Sequence, residues 1–355
     1  MRHCSQERFG QQVQFLRRQF LQDGDLPFTD VLTEEAISQA LATVTGWLDR
    51  IFSPLVTLWV FLSQVLSADH SCRAAVARLL AHRLSRGQRP CSAETGAYCQ
   101  ARQRLPESFF ADVACSVGRR LDAQAERDWL WKGRRVYLFD GTTVTMPDTR
   151  ENQEAYPQVY NQKPGLGFPI ARLGALISLA CGAVVNLGFC QYAGKGQGEV
   201  SLLRRLWEVL RPGDVVLGDR LLGNWATIVF LRERGVELVS RLNTYHRRVD
   251  FRRGQRLGPD DHVVRWAKPT SIRSLDRETY RALPVSVTVR EARVRVPQPG
   301  FRTKSIVVVT TLLDPRQATK EDLAALYRAR WNAELDLRSI KSAMQMRELR
   351  CKVRS

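Results

Sequence analysis

Two short apolar runs limit what this chain can fold into more than any other feature. Val136-Tyr-Leu-Phe ends at Asp140, and Val215-Val-Leu-Gly ends at Asp219. Each is a buried-strand pattern stopping at a carboxylate, and each carboxylate has a glycine neighbour, Gly141 or Gly218, that lets backbone or ligand approach closely. Gly141–Pro147 continues the first run as a β-branched stretch, and Arg172–Leu179, Ala183–Tyr192, Val236–Leu242 and Ser305–Leu313 read as further strands. Helical patterns lie between them, from about Glu199 to Leu210 and over Trp225–Arg234. A long helix starts near Thr319 and runs toward Arg350. This alternation predicts the α/β class with a mixed sheet.

The chain before Arg135 has a different texture. Apolar residues recur at helical spacing in Val31–Leu48, in Ser71–Leu84 up to the stop at Arg86-Gly87, and in Ser108–Leu121. No strand-like alternation interrupts them. The expected organisation is a helical N-terminal domain over residues 1–131 and an α/β domain over residues 132–355. A length of 355 residues allows two domains with sizeable cores. The most apolar run, Ile51–Leu66, contains Pro54 and Gln64 and is shorter than the ~20 residues of a spanning helix, so a core helix is expected. The eight cysteines form no C-x-x-C pair and have no histidine at zinc spacing. With no signal-peptide stretch at the N-terminus, they point to a reduced cytoplasmic protein without structural zinc and without a membrane partner.

Charge divides the chain the same way. Residues 1–132 carry 16 basic and 14 acidic side chains, whereas the remainder carries 38 and 22. The excess attracts polyanions, with nucleic acid the first candidate. It is densest over residues 243–304, where 15 Lys and Arg face 6 Asp and Glu and runs such as Val285–Val296 alternate. That stretch reads as a β-rich basic insertion. Its Arg247, Arg248, Arg252 and Arg253 are candidates for sequence-independent phosphate contacts, with a solvated basic surface as the alternative.

Carboxylates at the end of buried strands in an open α/β sheet stand where ligands commonly bind. Asp140 and Asp219 fit that position, a turn or helix cap being the alternative for either alone. The terminal helix adds a third group. Tyr327, Arg330, Glu334 and Lys341 are spaced by three, four and seven residues, which puts them on one helical face. A solvated charge stripe, with Trp331 and Leu335 as core contacts, is the competing reading. Several carboxylates at one sheet edge can bind a pair of Mg²⁺ ions, which prefer oxygen ligands. Two such ions can activate a water or 3′-hydroxyl and stabilise the leaving oxygen of a phosphodiester. Ala193-Gly-Lys-Gly-Gln-Gly-Glu199 follows a strand and opens a helix, but it lacks the order of a nucleotide-binding loop and reads as a flexible turn.

Three runs together resemble the signature blocks of the DDE transposases. They are Phe139-Asp140-Gly-Thr-Thr-Val144, Val215-Val-Leu-Gly-Asp219-Arg220 and Tyr327-x2-Arg330-x3-Glu334-x6-Lys341. The likeness is best to the insertion-sequence-four family of bacterial cut-and-paste elements, and it covers the chain from about residue 30 onward. Tyr98–Pro106 and Gly165–Pro169 are similar to the surrounding family pattern as well. The resemblance implies an RNase H-like core in which Asp140, Asp219 and Glu334 hold two Mg²⁺ ions, with Mn²⁺ able to substitute. It implies that Tyr327, Arg330 and Lys341 contact phosphates of the transposon end, and that the N-terminal helical domain is an accessory DNA-binding domain. Its partners would be double-stranded DNA, both element ends and target, and a second copy of the chain in a dimeric synapse. Its reaction would be cleavage and strand transfer at terminal inverted repeats.

An aromatic of the insertion stacks on a flipped base in related enzymes. Trp266 is the only Trp in residues 243–304 and is the candidate, with packing as its alternative. Relatives continue past the position of Ser355, which gives the expectation of a C-terminally truncated transposase with a complete triad. Two other readings stand beside the enzyme. One is a DNA-binding fragment without catalysis; the other is a different RNase H-like nuclease such as a junction resolvase.

Overall fold

The computed structural model describes residues 39–41, 50–161, 163, 165–244, 247–272, 274–295 and 305–343, with backbone alone for 332–343. The chain divides into two compact units, one before Leu121 with the end of the last helix from Arg338, and the other over Leu121–Leu337.

The first unit contains α1 (Pro54–Leu66), α2 (Cys72–Ser85), α3 (Gly96–Arg104) and most of α4 (Glu107–Ala123). Ser53 starts α1 by accepting a hydrogen bond from the Val56 N–H, with Pro54 in the first turn where its missing N–H costs nothing. The apolar run is therefore a core helix, with Leu58 and Trp59 packed beside Phe109 and Val113. Its one amide is tied on both sides. Gln64 donates to the His70 carbonyl (2.7 Å) and accepts from the Tyr98 hydroxyl (2.7 Å) and Arg102 (3.1 Å), which offsets its burial beside α2 and α3. Among the described residues, no helix is long and apolar enough to cross a membrane.

The second unit is built on one nine-stranded sheet. β1 (Val136–Thr145), β2 (Ile170–Ser178) and β3 (Val184–Gln191) form an antiparallel meander. β4 (Val215–Gly218) and β5 (Glu237–Arg241) add on parallel to β1. The order 3-2-1-4-5, antiparallel and then parallel, is that of an RNase H-like core. Beyond β5 the sheet continues antiparallel through β9 (Ser305–Thr310), β8 (Ser286–Arg295), β7 (Asp261–Ala267) and β6 (Gln255–Gly258). The basic stretch over 243–304 thus extends the same sheet.

Period-two alternation gives the central strands two buried faces. Tyr137, Phe139, Val216 and Leu238 pack on α5 (Glu199–Leu206) and α6 (Trp225–Glu233). Val136, Val215, Leu217 and Val239 pack on α7 (Lys320–Ala343) through Leu323, Leu326, Tyr327 and Trp331. Gly174 lets α5 lie close, since a Cβ there would stand 2.6 Å from Leu202 Cδ2. A reciprocal cap fixes the start of α7. Thr319 N–H donates to Asp322 (2.8 Å), and Asp322 N–H donates to the Thr319 hydroxyl (3.1 Å).

The extension carries a buried ion pair. Arg290 is 0% exposed, donates twice to Asp261 (2.8 and 2.6 Å) and once to the Ala318 carbonyl (2.6 Å). Fully satisfied, it pins β7 and β8 to the entry of α7. Removing one partner leaves a buried charge without compensation, which costs about 3–5 kcal/mol. Asp261→Ala should lower the urea unfolding midpoint accordingly, while Asp250→Ala, which breaks an exposed pair with Arg252, should leave it near wild type. Equal midpoints for both variants would contradict this account.

Candidate active site

Sheet register brings the first two carboxylates together. β1 and β4 pair from Val136↔Val215 to Leu138↔Leu217, and the same offset carried two residues on sets Asp140 level with Asp219. β4 and β5 pair from Val215↔Glu237 to Gly218↔Ser240, so the next step sets Arg241 level with Asp219. Asp140 is not at a strand end. β1 runs on to Thr145 as a ribbon with β2, while its pairing with β4 stops at Leu138, and the sheet opens beside Asp140 for that reason.

The turn after β4 holds Asp219 in place. Its Oδ1 accepts from the Leu221 N–H (2.8 Å), and its carbonyl accepts from the Leu222 N–H (3.2 Å) and the Ser240 hydroxyl. Two glycines make the turn possible. A Cβ on Gly218 would stand 2.3 Å from Leu222 Cδ1, and one on Gly223 would stand 2.9 Å from the Arg241 carbonyl oxygen.

A third carboxylate at this edge is Glu199, which the sequence pattern of a flexible turn concealed. It opens α5 and packs on Gly141, where an added Cβ would be 3.0 Å from its Cγ. Arg172 of β2 pairs with it at 2.8 Å and stacks on the Tyr192 ring. Burial pushes the Glu199 carboxyl upward; Arg172 opposes this, and the charges of Asp219 and Asp140 reinforce it. The only available signal was a glutamate at a helix start after Gly198, and that pattern is also an ordinary favourable helix terminus.

From α7, the structure brings Tyr327 and Arg330 to the same edge. Tyr327 is 1% exposed and packs edge-on to Trp331, with Arg330 stacked over its ring at 5.2 Å. Burial raises the Tyr327 hydroxyl above the usual range; Arg330 and Arg241 pull it down and Asp219 adds to the rise, which places all three charges around it. Arg330 is itself buried, so a solvated stripe does not describe these two residues. Glu334 and Lys341 lie on α7, but their side chains fall outside the described residues.

The four arginines of the basic stretch separate into two pairs. Arg247 and Arg248 line a cleft of about 500 Å³ together with Arg241 and Arg293. Arg252 and Arg253 share Asp250 at 3.0 and 3.4 Å on an exposed turn. Trp266 is 3% exposed, with its indole N–H on Glu291 (2.7 Å) and Arg247 stacked on its ring at 4.2 Å. Its face and its edge are both engaged by the protein, so it serves packing here and offers no free face to a base.

Asp140 and Asp219 supply hard oxygen donors, which suit Mg²⁺ or Mn²⁺. Among the described residues no group of three or more His, Cys, Asp and Glu is arranged to hold a metal.

A family profile described as "Transposase DDE domain" matches residues 131–355, which contain every one of these groups. The chain belongs to the DDE transposase family. The transposase InsG of insertion sequence element IS4 from Escherichia coli strain K12 is 27% identical over 331 residues, covering 90% of this chain and 69% of its own. A piggyBac transposase synaptic complex with hairpin DNA is a remote structural likeness. It has a TM-score of 0.44 and 10% identity, covering 89% of this chain and 67% of its own.

In this DDE transposase, Glu199 is held against the residue that follows Asp140. Gly141→Ala should displace its carboxylate by steric contact and lower DNA cleavage about 10–100-fold, the scale of losing a group that supports functional carboxylates. The melting temperature should change little, since the contact is with a side chain at the edge. Unchanged cleavage by the variant would show that Glu199 has no part in the site.

Proposed function

We propose that this transposase cleaves DNA at the terminal inverted repeats of an insertion sequence and joins the freed ends to target DNA, by cut-and-paste transposition. The reading is supported by the β1–β4–β5 register, which carried past its last pairs sets Asp140, Asp219 and Arg241 level, and by the charges of Asp219, Arg241 and Arg330 around Tyr327 of α7. Acid and base groups thus stand side by side where a phosphodiester would need both a metal site and phosphate contacts.

Asp140, Asp219 and Glu334 would hold two Mg²⁺ ions, or Mn²⁺ in their place. When bound, these supply activation of the attacking water or 3′-hydroxyl and charge stabilisation at the leaving oxygen. The chain's own residues do the rest. Tyr327, Arg330 and Lys341 contact phosphates of the transposon end and set the scissile bond at the carboxylates, a positioning role that carries no sequence information. Burial of Tyr327 and Arg330 fixes them before DNA arrives, so little side-chain freedom is lost on binding. The Arg247 and Arg248 cleft supplies sequence-independent affinity. Arg252 and Arg253, each beside Asp250, add less. A second copy of the chain completes the synapse.

The test is cleavage of a DNA duplex carrying the inverted repeat that flanks this gene, with Mg²⁺, Mn²⁺ or EDTA. Wild-type protein should nick the end with either metal and be silent in EDTA. Asp140→Ala and Asp219→Ala should each bind the duplex and fail to nick it. Nicking that survives Asp219→Ala, or that persists in EDTA, would overturn the assignment.

A further inference from the structure

The arginine cleft has a built support behind it. It lies one strand beyond the carboxylates on the same sheet edge, at the end of β5, the start of β9 and the facing part of β8, and Arg241 belongs to both regions. Four arginines line a space of about 500 Å³, and no carboxylate is among the described residues lining it. Repulsion between these groups favours splayed, solvated rotamers unless something holds them or an anion sits between them.

Arg247 is held. Its Nε donates to Glu291 at 3.3 Å and its guanidinium lies over the Trp266 ring at 4.2 Å. Glu291 is 2% exposed; it takes the Trp266 indole N–H at 2.7 Å, and its other oxygen lies 2.9 Å from His262 Nε2. His262 in turn meets the Arg253 carbonyl through Nδ1 at 2.6 Å. A buried carboxylate with three polar partners is an expensive feature for a sheet extension to carry. As a stabilising element it is inferior to apolar packing; as a support it turns one flexible arginine into a fixed one with the remainder of its guanidinium at the cleft.

We propose that Glu291 is a positioning residue that presets Arg247 to bind a phosphate of the DNA strand leading away from the carboxylates. The inference rests on the transposase reading above and extends it to a group that never touches DNA. Planar guanidinium geometry matters at such a site, because Arg offers several donors in a fixed fork while Lys offers a point charge.

The sign of one substitution separates this role from simple electrostatics. Glu291→Leu removes a negative charge beside a basic cleft, which by charge alone should tighten binding to a polyanion, and it also removes the oxygen that holds Arg247. Positioning predicts the opposite. With a short mixed-sequence DNA duplex as probe, Glu291→Leu should weaken binding about tenfold, on the scale of one charge-assisted hydrogen bond. Arg247→Ala should weaken it similarly and reduce the slope of log K against log salt by about 0.9, the loss of one phosphate contact. In the Arg247→Ala background, Glu291→Leu should have no further effect. Equal or tighter binding by a folded Glu291→Leu, or additive losses in the double variant, would overturn the proposal. Arg247→Lys covers the case in which Glu291→Leu does not fold. It keeps the charge, so wild-type affinity would contradict positioning and a loss near that of Arg247→Ala would support it. Wild-type protein that binds no DNA would instead defeat the transposase reading.

Discussion

The parallel register between β1 and β4 is the constraint on which the site depends. Only three residue pairs define it, from Val136↔Val215 to Leu138↔Leu217. Both faces of these strands are buried, one under α5 and α6 and the other under α7, so a slip by one residue would turn every apolar side chain to the wrong face. The carboxylates inherit that precision from the strands that carry them. Carried two residues on, that register sets Asp140 level with Asp219, and Gly218 and Gly223 let the turn after β4 close. Mutual repulsion of two half-buried carboxylates is thus opposed by hydrophobic packing several residues away.

Charge along the same edge changes sign over a few strands. Asp140, Asp219 and Glu199 stand at β1, β4 and α5, and Arg241 follows on β5, with Arg247, Arg248 and Arg293 beyond it. A duplex attracted by the arginines would be repelled by the carboxylates unless a divalent cation were present there. The net charge of +18 is therefore less informative than its arrangement. Arg290–Asp261 and Glu291–His262 tie β7 and β8 together, and the Arg290 bond to the Ala318 carbonyl ties this extension to the entry of α7.

Much of this was legible in the residues because local physics and function coincide there. A short apolar run bounded by turn residues reads as a buried strand, and a carboxylate after it stands where ligands commonly bind in an open sheet. Tyr327 and Arg330 were legible through helical spacing alone. Glu199 was not, because a glycine-rich turn before a helix has the same appearance whether or not it faces a site. The extent of β1 past Asp140 depends on β2, which pairs with it from Tyr137 to Thr145, and no local pattern encodes that partner. Trp266 and Glu291 show the converse. An aromatic in a basic stretch suggests a base-stacking role, but the tertiary partners of Trp266 make it part of a support for Arg247.

The most direct test of the central claim, that the β1–β4 register builds a cation site between Asp140 and Asp219, is a crystal of the protein grown or soaked with Mn²⁺ and measured for anomalous scattering. The account predicts an anomalous peak within direct coordination distance of both carboxylates, about 2.1–2.2 Å by comparison with other hard divalent ions, and its disappearance in Asp219→Ala. A peak confined to other carboxylates, or full occupancy retained in Asp219→Ala, would contradict it.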